Sequence, residues 1–228
     1  MKTICYVDGF NLYYGCLKAT GYKWLDLYKL FAWIINENNP DAELHQIKFF
    51  TAPIKTKLAS RGDAAGAAQN TYHRALNALY PEHISICEGY FSLEEGSFLE
   101  YLNPPDKTLR VKIWRLEEKQ SDVNIALEAY RDASYGAVEQ AIFVTNDTDQ
   151  EPTLKALRHD FPELKIGIIL PIKEPQSGST IKARPGNNRL SVYADWTRGY
   201  IRAEELKQSQ LPDVIPTRKK AIRKPVYW

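Results

Sequence analysis

Short apolar runs alternate along this chain with longer stretches of helical period, and that alternation limits its possible folds more than any other feature. Thr3-Ile4-Cys5-Tyr6-Val7 is short, apolar and β-branched, which suits a strand covered on both faces. Leu27, Leu30, Phe31, Ile34 and Ile35 then recur at helical spacing within 24–38. The same reading predicts strands at Ile47–Thr51, Ile84–Tyr90, Ala141–Thr145 and Lys165–Leu170. It predicts helices at 65–79, stopped by Pro81, at 122–134 and at Thr153–His159. Ser92–Trp114, with a Gly-Ser turn, an Asn-Pro-Pro-Asp turn and the alternating run Leu109–Trp114, reads as a hairpin-like extension. A polar loop through Pro171, Pro175, Gly178, Pro185 and Gly186 leads to an expected last helix over 189–206, whose Trp196 and Tyr200 would be core anchors. Strands alternating with helices specify an α/β fold with a mainly parallel sheet of about five strands, covered on both faces. Ligands of such sheets bind at the carboxyl ends of the strands.

Length and composition bound the reading further. The 228 residues suit one larger domain, expected over 1–206, with an appendage at 207–228. Hydrophobic residues at 44% and charged residues at 25% exclude a disordered, collagenous or fibrous chain. The longest apolar run, Leu30–Ile35, is far below the roughly 20 residues that span a bilayer, so no membrane partner is expected. Asp8 interrupts any secretory signal, and Cys5, Cys16 and Cys87 have no zinc or disulfide spacing. Together these imply reduced thiols and a cytoplasmic protein. The net charge is +2, but Arg218, Lys219, Lys220, Arg223 and Lys224 crowd into one segment; without them the body has fewer bases than its 28 acids. That segment is expected to be mobile, either a hook for a nucleic-acid backbone or a solvated end.

Several acids fall where strands end. Asp8 closes the first strand, with Asn11 three residues on; Asp147 and Asp149 follow the fourth; Asp122 opens the third helix. Each has an ordinary explanation as a helix cap. Brought together, they would repel unless a cation lay between them, and oxygen ligands of this kind suit Mg²⁺ or Mn²⁺. Such a centre is fitted to phosphodiester hydrolysis. The four histidines have no metal-ligand spacing, which argues against zinc. Position 10 is Phe, where an aspartyl phosphatase needs a second acid, and Gly62–Gly66 lacks the Lys-Ser/Thr of a P-loop. Tyr13 and Tyr14 could stack on bases, though packing roles suit them better.

Three segments in order, Val7-Asp8-Gly9-Phe10-Asn11, Glu118–Leu127 and Phe143–Asp149, resemble the signatures of the NYN domain family, a branch of the PIN-like metal-dependent ribonucleases. The likeness extends over about 1–205, with Leu190 and Ala194-Asp195 resembling the family's last helix. The resemblance implies a PIN-like three-layer α/β/α fold and hydrolysis of RNA to 5′-phosphate and 3′-hydroxyl ends. Asp8, Asp122 and Asp147 would bind the metal, and Asp149 would orient water. Asn11, Lys119 and the five tail cations would contact substrate, with Arg115 a further candidate and Glu128 a weaker carboxylate. The alternative is a catalytically silent nucleic-acid-binding module with the same fold. A homo-oligomer is compatible with either.

Overall fold

The computed structural model describes residues 1–175 and 188–228. Its six-stranded central sheet has the order β3-β2-β1-β6-β7-β8, every pair parallel. The strands are β1 (Lys2–Asp8), β2 (Glu43–Thr51), β3 (Ile84–Glu88), β6 (Gln140–Val144), β7 (Lys165–Ile169) and β8 (Trp196–Arg198). The expected α/β architecture is borne out, with one strand more than the five read from the sequence.

Period-two alternation on β1 divides the core. Cys5 and Val7 face α2 (Leu27–Asn38) and α3 (Asp63–Leu79), while Ile4 and Tyr6 face α4 (Ser121–Ser134) and α5 (Glu151–Asp160). Both layers bury their apolar side chains, and Leu30, Phe31, Ile34 and Ile125 are at most 1% exposed. The helix at the end of β1 is brief: α1 (Gly9–Leu12) runs into a π-helical turn, Tyr13–Leu17. The hairpin-like extension is a two-stranded antiparallel arm, β4 (Tyr90–Leu99) with β5 (Arg110–Lys119), standing apart from the central sheet.

Two expectations need correction. The single helix over 189–206 is instead α6 (Asn188–Ser191), β8 and α7 (Ala203–Gln208). Trp196, Thr197 and Arg198 pair with Gly167, Ile168 and Ile169 on the open edge of β7, and β-branched and aromatic residues here favour the extended backbone. Asp195 fixes the entry to this strand by accepting from the Ile166 N–H and the Arg158 guanidinium, each at 2.8 Å. The polar loop expected through Gly178, Pro185 and Gly186 lies at 176–187, outside the described residues.

The segment 207–228 is also more ordered than its charge suggested. β9 (Val214–Ile215) and β10 (Ile222–Arg223) form a small hairpin whose Ile215 and Ile222 enter the core. The Trp24 indole N–H donates to the Pro212 carbonyl at 2.9 Å, and Trp228 packs edge-on against Trp24. Apolar residues between the prolines and cations anchor the segment, which a charge count passes over.

One charged cluster sits inside the second layer. Lys48 on β2 lies 2.7 Å from both Glu128 and Asp132 of α4, and the Tyr6 hydroxyl donates to Asp132 at 2.8 Å. Lys48 is only 8% exposed. Removing it strands two carboxylates facing the sheet, and losing one partner of a buried ion pair costs about 3 kcal/mol. Lys48→Ala is expected to lower the free energy of unfolding by that amount, read as a lower urea midpoint with an unchanged slope. Lys48→Met combined with Glu128→Leu and Asp132→Leu is expected to recover most of the loss, and a single substitution without effect would refute the role.

Candidate active site

The chain leaves β1 toward β2 on one side and β6 on the other, so the carboxyl ends of β1 and β6 mark the topological switch point. The sequence-predicted acids meet there. Asp8 ends β1 and caps α1: its Oδ1 accepts from the Asn11 N–H at 2.9 Å. Its Oδ2 accepts from the Asn11 side-chain amide at 2.5 Å and from the Thr145 hydroxyl at 3.1 Å. The Asn146 N–H donates to Asn11 Oδ1 at 3.3 Å, which ties the end of β6 to the turn after β1. Asp147 caps the next turn by accepting from the Asp149 N–H at 3.1 Å, and Asp149 is exposed. Asp122, in the first turn of α4, accepts from the Gln150 side-chain amide at 3.4 Å.

Burial dominates the electrostatics here. It lifts Asp8 to about 6, against the hydrogen bonds from Asn11 and Thr145 that favour the carboxylate. Burial also raises Asp122, helped by the charges of Asp147, Glu118 and Asp149.

Other predicted residues lie elsewhere. Glu128 is committed to Lys48 and Arg131. Lys119 pairs with Glu117 at 2.6 Å, and Arg115 pairs with the same carboxylate. Arg218, Lys219 and Lys220 are exposed on the turn between β9 and β10; Arg223 lies exposed on β10, and Lys224 sits 3.9 Å from Asp213. That hairpin packs against α3, away from the acids.

Beside the acids, over the ends of β1 and β2, opens a cavity of about 410 Å³. Phe10, Phe49, Tyr72, Phe91 and Trp228 give it aromatic walls, and Tyr13 and Tyr14 stand at its exposed side. Gly9 makes the wall possible: a Cβ there would meet the Phe50 carbonyl at 2.5 Å and the Phe49 ring at 2.9 Å. Lys18, Lys23 and Lys55 line the cavity, no Asp or Glu does, and none of the three lysines pairs with an acid among the described residues. Gln69 holds the loop that carries Lys55, accepting from the Ile54 N–H and donating to the Ala52 carbonyl, both at 2.9 Å. His73 lies one turn further along α3, its Nδ1 3.5 Å from Glu88. Sequence reasoning missed this site. The signal for it was two polar residues, Gln69 and His73, on the inward face of an Ala- and Leu-rich helix.

No family model matches the chain. In fold it is similar to a protein of unknown function from Vibrio parahaemolyticus, with a TM-score of 0.50 at 17% identity, covering 88% of this chain and 92% of that one. In sequence it is 39% identical to 6-hydroxy-3-succinoylpyridine 3-monooxygenase HspA of Pseudomonas putida, covering 100% of this chain and 75% of the relative. That similarity overturns the expectation of a divalent-metal ribonuclease and of a silent nucleic-acid-binding module, because the relative is an oxidoreductase and no hydrolase. The expected Mg²⁺ or Mn²⁺ centre is corrected with it. Both Asp8 oxygens and Oδ1 of Asp147 accept hydrogen bonds, and among the described residues no three His, Cys, Asp or Glu side chains are placed to hold a metal ion. Among those residues, too, no helix is long and apolar enough to cross a membrane. With 39% identity along its whole length, the chain belongs to the family of 6-hydroxy-3-succinoylpyridine 3-monooxygenase.

Proposed function

We propose that this chain oxidises a hydroxylated pyridine-type ring bearing an acidic side chain, inserting one oxygen atom of O₂. The observation that carries this reading is the identity to the monooxygenase along the whole chain. The cavity supports it. Its aromatic walls suit a flat ring, and its size falls within the roughly 300–1,000 Å³ of small-molecule sites. Its three lysines, unopposed by any lining acid, suit the carboxylate of a succinoyl group.

Inserting one atom of O₂ leaves the other to be reduced to water, which takes two electrons. Burial raises the Cys5 thiol far above its usual range and pushes Cys16 up to about 12, so neither is a ready electron carrier. The two electrons come from an organic hydride donor, a reduced nicotinamide or flavin, supplied with the substrate. This chain's own part is to bind and orient the ring, to exclude water and to move protons.

In this reading Asp8, Asn11, Asp122, Asp147 and Asp149 form a scaffold behind the cavity. Asp8 caps the turn whose next residues, Gly9 and Phe10, are cavity wall. The NYN-like segments then describe a scaffold with oxidative chemistry at its strand ends.

Incubating the protein with 6-hydroxy-3-succinoylpyridine, ¹⁸O₂ and a reduced nicotinamide, with and without added flavin, tests the reading. One ¹⁸O atom in the organic product is expected; product labelled only from water would overturn it. Lys23→Gln with Lys55→Gln is expected to raise KM for the acid about 10- to 100-fold, the worth of a charge-assisted hydrogen bond, with a small change in kcat. An analogue lacking the carboxylate is expected to be indifferent to the pair.

Asp8 gives a stability test. Its folded pKa of about 6 lies above the ordinary 3.8, so the folded chain holds a proton that the unfolded chain releases. Its contribution to stability therefore rises as the pH falls from above 6 toward 4, by at most about 3 kcal/mol. Melting curves from pH 4 to 8 are expected to show that rise for the wild type relative to Asp8→Asn; parallel profiles would count against it.

A further inference from the structure

We infer that His73, with Glu88 behind it, is the base that takes the proton from the ring hydroxyl of the substrate. This rests on the proposed oxidation of a hydroxylated ring in the cavity. His73 is 9% exposed and is one of the residues lining the cavity. Its ring lies against the Phe49 and Tyr72 rings, at 6.2 and 6.4 Å between centroids, which restricts its orientation. Nδ1 faces the Glu88 carboxylate at 3.5 Å, and Nε2 has no hydrogen-bond partner among the described residues. Glu88 thus selects the tautomer protonated on Nδ1 and leaves the Nε2 lone pair free to accept.

Burial lowers the His73 pKa and Glu88 opposes the shift, so the imidazole is neutral and able to act as a base at neutral pH. The charged groups around it are Glu88 at the end of β3 and, lining the same cavity, Lys18 after the π-helical turn, Lys23 before α2 and Lys55 after β2. The phenols of Tyr13, Tyr14 and Tyr72 share that lining. In the transfer, the substrate O–H bond breaks, an N–H bond forms at Nε2, and the electron pair stays on the ring oxygen. The imidazolium that results is paired with Glu88 and lies beside the ring oxide it has formed. On a pyridine ring, position 6 lies opposite position 3. An oxide at 6 therefore raises electron density at the carbon that the relative's name identifies as the site of oxygenation.

Ionisation of the hydroxypyridine can be followed by its ultraviolet absorption, without O₂ or reductant. Bound to the wild type, 6-hydroxy-3-succinoylpyridine is expected to ionise at lower pH than free in solution. His73→Gln is expected to abolish that shift and to lower kcat about 10²- to 10⁴-fold, with turnover recovering as the pH rises and ionises the substrate directly. Glu88 is a positioning residue and half exposed, so Glu88→Gln tests the pair with little risk to folding. It is expected to lose about 10-fold in turnover and to move the acid limb of the pH profile. If the wild type incorporates ¹⁸O while His73→Gln keeps the same bound spectrum and pH profile, the inference fails and the oxidative reading stands. If the wild type binds and ionises the ring without incorporating oxygen, and His73→Gln abolishes the ionisation, the oxidative reading fails and His73 stands as the base. A wild type that does not bind the compound overturns both.

Discussion

Lys48 is the interaction on which the arrangement of the active end depends. A lysine in a central parallel strand, 8% exposed, is tolerable only if its charge is met within the protein, and Glu128 and Asp132 meet it from α4. The pairing fixes the height and rotation of that helix over β1 and β2. The start of α4 then falls beside the turn after β6, which brings Asp122 to Gln150. Immediately before the helix, Gln120 takes a left-handed backbone (φ 83°) and Glu118 accepts from the Ser121 hydroxyl at 2.7 Å, so the arm of β4 and β5 is anchored where the helix begins. Phe91 and Leu116, near the root of that arm, line the cavity, so the charge network acts on the cavity through the backbone between them.

The strand ends carry two arrangements of different chemical character. The acids sit between β1 and β6, bound largely to backbone N–H groups and to Asn11, Thr145 and Gln150. They are costly charges whose hydrogen bonds go into fixing turns. The cavity over β1 and β2 is the opposite: aromatic, lined by cations and a histidine, with no acid in its lining. One scaffold therefore brings a negative rim and a positive, apolar cavity to the same edge of the sheet, with the backbone of Gly9 between them.

Much of the fold was legible because burial on both faces of a parallel sheet leaves continuous apolar runs, and β1, β2, β6 and β7 carry them. β8 was not legible. Its three residues are half exposed and pair along one edge only, so their pattern merges with the helical spacing of Leu190, Tyr193 and Ile201 around them. The acids were found because Asp after a strand is a local signal. The cavity was not, because its walls come from residues as distant as Phe10, Phe49, Tyr72, Phe91 and Trp228, and no local period joins them. Carboxylates in helix-capping positions read the same in a sequence whether they hold a metal or a turn; in the fold, Asp8 and Asp147 accept hydrogen bonds that fix turns.

The wall contributed by Trp228 has a consequence for how the protein comes into being. Gly9 and Trp228 border the same cavity, so its closure joins residues far apart in the sequence. The entropy of closing such a loop grows only logarithmically with its length, yet it must be met before the contact yields anything. Until the segment beyond Leu211 has emerged and docked, Trp24 and Tyr72 lack their cover, and nascent or partly folded chains expose an aromatic face to water. The cavity therefore closes only when this segment docks, and an undocked segment leaves an aromatic face open to association.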